Sequence, residues 1–299
     1  MTAAFLLSFL LKIRRKDEVI SQIPEQISQV SWKIWGICFL LMLLNWSIET
    51  WKWRLLSNDV SKASFGRQFK AVLAGMAIST LVPNRMAEYV GRLWFIPKNQ
   101  RWQAGGRSVV GGLMQLSITL WLGLMAAVYL TETDELNPNI DLLSVIYWCI
   151  FITLILLALG LVVAFSFRWL KSKFQWKWLA YFEGISTQKI ISVWALSLAR
   201  YAVFSLQFLL IFQALIPSKG FFEDFPQLAA MFLGQSMVPI PAVLDWTARF
   251  EMAQFFTGAE AESAAATSSL ILWLINLMIP ALAGILMFFF HQPNDPSNA

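Results

Sequence analysis

Residues 70–96 read KAVLAGMAISTLVPNRMAEYVGRLWFI, and the fold turns on this stretch. Its first half, 70–82, is apolar and stops at Pro83. Its second half, 86–96, resumes a helical pattern beyond the break. Neither half reaches the roughly 20 apolar residues that a spanning helix needs. Proline removes a backbone donor and clashes with the preceding turn. Broken backbone at membrane depth persists only where protein buries it or where it lines a wet cavity. Around the break stand Asn84, Arg85, Glu88 and Arg92. The last three fall at i, i+3 and i+7, one face of a helix.

A second stretch repeats the pattern. Residues 227–238, QLAAMFLGQSMV, stop at Pro239 and Pro241, and 246–257 resume. In both stretches a serine shortly precedes Val-Pro, and Pro239 lies 156 residues after Pro83. Long apolar segments at 34–51, 108–130, 142–168, 190–216 and 267–290 surround the two breaks. The sequence therefore predicts an all-α, polytopic transmembrane bundle with two proline-broken re-entrant hairpins in an internal repeat. We read residues 1–299 as a single membrane domain. A short apolar or interfacial segment (1–33) precedes repeat 1 (34–130). A connector helix (142–168), repeat 2 (190–290) and a polar tail (291–299) follow. Paired, proline-interrupted segments in the two halves of a chain point to a transport site.

Composition agrees. The chain is 58% hydrophobic and only 14% charged, against about 45–50% and 25% for soluble domains. The net charge of +5 comes from basic residues in the connections, so we expect a rim facing anionic lipid and no nucleic-acid partner. Two cysteines, Cys38 and Cys149, lie in apolar runs, and His291 is the single histidine. Chemistry that needs several His or Cys metal ligands is thereby excluded, and no cofactor is expected.

Loop charge orients the chain. The connections 52–70, 97–107 and 168–189 are basic and should be cytoplasmic, while 131–141 and 258–266 are acidic and should lie outside. The first hairpin then enters from the cytoplasm and the second from outside, an inverted repeat. The basic residues of 12–33 disagree with this assignment, and parallel repeats with spanning hairpins are the alternative.

Intramembrane charges supply the candidate site, because each costs about 2.5–3.5 kcal/mol to insert at a helix centre. Arginine forks suit an anionic headgroup, with Glu88 orienting one of Arg85 and Arg92; a salt bridge that merely fastens the hairpin is the plain alternative. In the second hairpin, Asp245 and Arg249 are at i, i+4, with Glu251 on another face. Arg200 falls near mid-bilayer, shares a face with Ser197 and Gln207, and must pair with Asp245, Glu49 or a ligand. Asn45, Glu49 and Lys52 share a face of 34–56, and Glu49 with Lys52 reads as an interfacial pair. Gln115, Thr119 and Asn276 read as interhelical hydrogen-bonding groups, and Gly111-Gly112 as close helix packing.

The run Pro83-Asn-Arg-Met-Ala-Glu-Tyr-Val-Gly-Arg92 resembles the membrane-domain superfamily of lysylphosphatidylglycerol synthase/flippase. So does Asn45-Trp-Ser-Ile-Glu-Thr-Trp-Lys-Trp-Arg54, and Arg200-Tyr, Gln207-Phe and Pro239 through Arg249 fit its second half. The resemblance implies a flippase-like fold with two re-entrant hairpins. It puts Pro83, Arg85, Glu88 and Arg92 in the first motif and Pro239, Asp245 and Arg249 in the second. Two positions depart from the family pattern. Ala87 stands where glycine is common, and 247–251 lacks the usual glycines. Bifunctional members carry a soluble aminoacyl-transferase domain after the membrane part; this chain ends at Ala299, so lysyl transfer is not expected. The reading that follows is movement of an anionic or polyprenyl-linked amphiphile across the inner membrane, without covalent chemistry. The competing readings are a membrane enzyme acting on a lipid phosphate and a non-transporting accessory subunit. A homo-oligomer is left open.

Overall fold

In hydrocarbon a backbone must satisfy its own polar groups, and a helix does so within one segment. The computed structural model describes residues 19–60, 62–80, 86–132, 150–151, 185–216, 220–236, 250, 252 and 261–289, and among these the only regular secondary structure is helical. In chain order these are α1 (Trp32–Ser57), α2 (Phe65–Ser79), α3 (Met86–Leu93), α4 (Arg101–Glu132), α5 (Thr187–Leu215), α6 (Phe221–Ser236), α7 (Glu262–Trp273) and α8 (Ile279–Phe289). A π-turn, Leu274–Met278, joins the last two into one rod. Among the described residues four rods are long and apolar enough to cross a membrane: Trp32–Ser57, Lys98–Leu130, Thr187–Leu215 and Glu262–Met287. The expected connector helix 142–168 lies outside the described residues, apart from 150–151.

The hairpin pieces are short for a physical reason. At 1.5 Å per residue, α2 measures about 22 Å and α3 about 12 Å, against about 30 Å of hydrocarbon. Ser64 caps the start of α2 by accepting from the N–H of Arg67. At the other end Pro83 has no N–H to offer the carbonyl of Ser79. The last turn is closed by hydroxyls instead: Ser79 Oγ donates to Met76 O (2.9 Å) and Thr80 Oγ1 to Ala77 O (2.6 Å). The second break shows the same device. Ser236 Oγ donates to Leu233 O (2.7 Å), and Ser236 stands three residues before Pro239 as Thr80 stands three before Pro83.

Side-chain contacts fix which helix ends lie together. Arg107 Nη1, near the start of α4, donates to Leu56 O at the end of α1 (2.7 Å) and reaches Asp59 Oδ2 (3.3 Å). Lys189, at the start of α5, bonds the same Asp59 carboxylate. That bond, with burial opposing it and the nearby charges of Lys189 and Arg107 adding to it, holds Asp59 below the usual carboxylate range. The α2–α3 pair lies in sequence between the end of α1 and the start of α4, two helix ends that the Arg107 contact brings together. At the opposite end, α5 turns into α6 through Gly220, whose φ of 136° excludes an ordinary side chain. There too Gln26 holds the first turns of α7, donating to Ser263 Oγ (2.8 Å) and accepting from Thr267 Oγ1 (2.5 Å).

Gln26 belongs to a helix within the short apolar or interfacial segment 1–33. Residues 19–29 are helical, with Val19, Ile23 and the following Val30 buried. The apolar positions 19, 23, 27 and 30 make one helical face that lies against the bundle.

Among the described residues two large hydrophobic clusters carry most of the core. One joins α1, α2 and α3 to the π-turn and α8, with Ala104 of α4, Ile211 of α5 and Ile271 of α7. The other joins α5, α6 and α7 to Ile118 and Leu122 of α4. The second half thus lends α8 to the first, and the first lends the middle of α4 to the second. Glycines make the exchange close: a Cβ on Gly284 would sit 2.1 Å from Leu73 O, and one on Gly123 would sit 2.5 Å from Leu233 Cβ and 3.1 Å from Ala229 O.

Candidate functional site

The site is assembled from α1 outward. Asn45, Glu49 and Lys52 fall at i, i+4 and i+7 and share one face; all three are buried. Antiparallel to that face runs α5. Gln207 Nε2 donates to Cys38 O (2.7 Å) and Arg200 Nε to Asn45 Oδ1 (3.1 Å), so residue numbers fall on one helix as they rise on the other. The hairpin brings Arg92 and Glu88 in beside them.

Glu49 is the hub. Its Oε1 accepts from Arg92 Nη2 (2.8 Å). Its Oε2 accepts from Arg200 Nη1 (2.7 Å) and Lys52 Nζ (3.1 Å). Arg92 also pairs with Glu88, and Lys52 donates to Gln115 Oε1 on α4 (3.0 Å). Gln115 Nε2 passes on to Ser197 O (3.3 Å). Aromatic faces flank the guanidiniums: Arg200 lies 5.3 Å from the Trp46 ring centre, and Arg92 lies 5.8 Å from Trp53 and 5.9 Å from Tyr89.

A polar chain continues through the π-turn. Asn45 Nδ2 donates to Asn276 Oδ1 (3.3 Å), and Asn276 Nδ2 to Gln207 Oε1 (3.1 Å). Pro280 has no N–H for the Asn276 carbonyl four residues back, and that carbonyl accepts from Trp46 Nε1 (3.2 Å). The network thus ties α1, the hairpin, α4, α5 and the last rod at one seam.

The seam carries a charge imbalance. Among the described residues it gathers Lys52, Arg92 and Arg200 against Glu49 and Glu88, one positive charge in excess. Lys52 is 1% and Arg92 3% exposed, while the Arg200 side chain is 21% exposed. Removing charge from water costs several kcal/mol per ion unless partners compensate, and among the described residues two carboxylates compensate three cations.

Of the residues nominated from sequence, the structure brings Glu88, Arg92, Arg200 and Glu49 into one cluster and sets Gln207 next to it through Asn276 and Asn45. Arg200 takes Glu49, one of its three named partners. Pro83, Asn84, Arg85, Pro239, Pro241, Asp245, Arg249 and Glu251 lie outside the described residues. The Glu49–Lys52 pair read from the sequence is present (3.1 Å), with both side chains buried. The α2–α3 pair packs beside α1, and Arg92 of α3 reaches Glu49 there. Lys52 was not among the nominated site residues, although its i, i+3 spacing from Glu49 was the available signal. Gly112 bears out the packing reading, since a Cβ there would meet Tyr89 Oη at 1.7 Å.

No curated protein and no solved structure matches the chain. A family model does, over residues 2–286: the one described as the lysylphosphatidylglycerol synthase TM region.

Proposed function

We propose that this chain, which belongs to the lysylphosphatidylglycerol synthase transmembrane-region family, moves an anionic lipid or lipid-linked amphiphile across the inner membrane. The observation that carries the proposal is the surplus positive charge buried where the two halves meet. A purely structural salt bridge would balance. A headgroup site for an anion would be left with a cation to offer.

Repeat geometry supports the same reading. The α1 and α5 rods, each the first helix of its half, run antiparallel. The hairpin α2–α3 begins at one end of the bundle and α6 at the other. Leu73 and Ala229 are 156 residues apart, as are Thr80 and Ser236 and the two prolines. Leu73 and Ala229 each stand against a glycine of the other half, and Thr80 and Ser236 each close a half-helix. An inverted repeat with two re-entrant hairpins accounts for all of this, and it is the arrangement that allows one site to open alternately to each side. The end bearing Arg54, Lys62, Arg67, Lys98, Arg101 and Lys189 is then cytoplasmic. A thiol-reactive, membrane-impermeant label is expected to reach Lys62→Cys only from the cytoplasm and Phe222→Cys only from outside, with Cys38 and Cys149 replaced by alanine. Labelling of both from one side would remove the inverted repeat.

The activity itself is read in proteoliposomes, as equilibration between leaflets of a fluorescent anionic glycerophospholipid. The wild type is expected to accelerate it. Arg200→Ala and Arg85→Ala should each slow it about tenfold or more, since a charge-assisted hydrogen bond is worth about 1.5–3 kcal/mol. Equal rates in wild type and both variants would sink the site. Turnover of a lipid phosphate in the same vesicles would instead favour an enzyme.

A further inference from the structure

We infer that Glu49 is a resident counter-anion: it occupies the seat that a lipid phosphodiester takes, and it must yield that seat for the lipid to bind. The inference rests on the translocator reading above and narrows its substrate to headgroups with one net negative charge.

The geometry is that of a substituted ligand. Glu49 presents a two-oxygen edge, one oxygen to Arg92 and the other to Arg200 and Lys52, at 2.7–3.1 Å. The two non-bridging oxygens of a phosphodiester present the same kind of edge to guanidinium forks. Carboxylate and phosphodiester cannot both fill it. One further donor waits: Arg92 Nε is buried and meets no acceptor among the described residues. A planar carboxylate has no third oxygen to give it, whereas a phosphodiester has its ester oxygens.

Charge sets the class. With Glu49 moved aside but still within the cluster, three cations face two carboxylates. One monoanionic phosphodiester brings the total to zero. A zwitterionic headgroup leaves the surplus in place, and a pyrophosphate overshoots it. Access also has an order. Arg200, partly exposed, meets the headgroup first; Lys52 and Arg92, both buried, engage once Glu49 has swung out.

The test compares wild type, Glu49→Gln and Arg200→Ala in zwitterionic nanodiscs, titrated with an anionic glycerophospholipid while the melting temperature is followed. Glu49→Gln is expected to melt below the wild type without anionic lipid and to recover as it is added. Its half-saturation should fall at least about tenfold below the wild-type value, the effect of losing one competing contact of about 1.4 kcal/mol. Arg200→Ala should lose the response. If Glu49→Gln binds the anionic lipid no more tightly than wild type while Arg200→Ala binds it less, the exchange is wrong and the translocator reading stands. If none of the three responds and wild type moves no lipid, both fall. Should Glu49→Gln fail to fold, the wild type decides alone. Labelling of Glu49 by a hydrophobic carbodiimide, mapped by mass spectrometry, is expected to rise several-fold with anionic lipid and not with zwitterionic lipid. Unchanged labelling overturns the exchange.

Discussion

Replacing Arg92 with leucine is expected to destabilise the protein by about 3–5 kcal/mol, the range for removing one partner of a buried ion pair, and to abolish lipid movement. Arg92 is the cation shared by both carboxylates of the seam. Without it Glu49 keeps Arg200 and Lys52, but Glu88 loses a guanidinium held at near-complete burial. Arg92→Lys should fall between, because an ammonium is a point charge and cannot present a planar fork to two carboxylates. The double variant Arg92→Leu/Glu88→Leu separates structure from function. It removes a neutral pair, and apolar replacement of a whole buried pair is often neutral or stabilising. Its melting temperature should return close to the wild-type value while lipid movement stays lost. A single Arg92→Leu that melts like the wild type would show that the hairpin does not depend on this network. A double variant that moves lipid normally would take Arg92 out of the site.

That experiment draws on residues that were legible in the sequence to different degrees. Arg92 and Glu88 stood out because charge within an apolar run has one physical excuse, a partner or water, and their spacing put them on one face. Arg200 stood out by depth alone. Glu49 was visible as part of a face, yet its rank as hub was not. A residue eight positions from the end of a helix looks interfacial until the next element is known to fold back beside it. Local pattern carries helix and break; it does not carry which helices exchange places. The lending of α4 and α8 between halves, and the seam it creates, depends on long-range contacts at glycines that a single sequence does not pair. The helix at 19–29 escaped for a related reason. Its buried face is three or four residues wide, and its neighbour Ser263 lies more than 230 residues away.

Gly75→Ala is the second large effect we expect. A Cβ on Gly75 would stand 2.3 Å from Glu88 O and 3.0 Å from Arg92 Cγ; one on Gly91 would stand 2.5 Å from the Gly75 Cα. The two halves of the hairpin touch backbone to backbone there, so no side chain can rotate away. Overpacking of this kind costs about 1–3 kcal/mol, at times more, and here the strain falls on the turn that aims Arg92 at Glu49. Gly75→Ala should therefore lower both the melting temperature and lipid movement. Gly36→Ala is the matched control, since a Cβ at Gly36 meets nothing within 4 Å. In an open helical position alanine gains about 0.5–1 kcal/mol over glycine, so this variant should melt at or slightly above the wild type. If the two alanines behave alike, close apposition of the hairpin halves is not what seats Arg92. The same comparison extends to the exchanged helices. Gly284→Ala meets Leu73 O, and Gly123→Ala meets Leu233 Cβ and Ala229 O, one contact from each half of the repeat. Both should destabilise, Gly284→Ala the more because its nearest atom is backbone at 2.1 Å. Were only one of them to do so, the two hairpins would not be held in equivalent ways, and a site shared symmetrically between them would lose its structural basis.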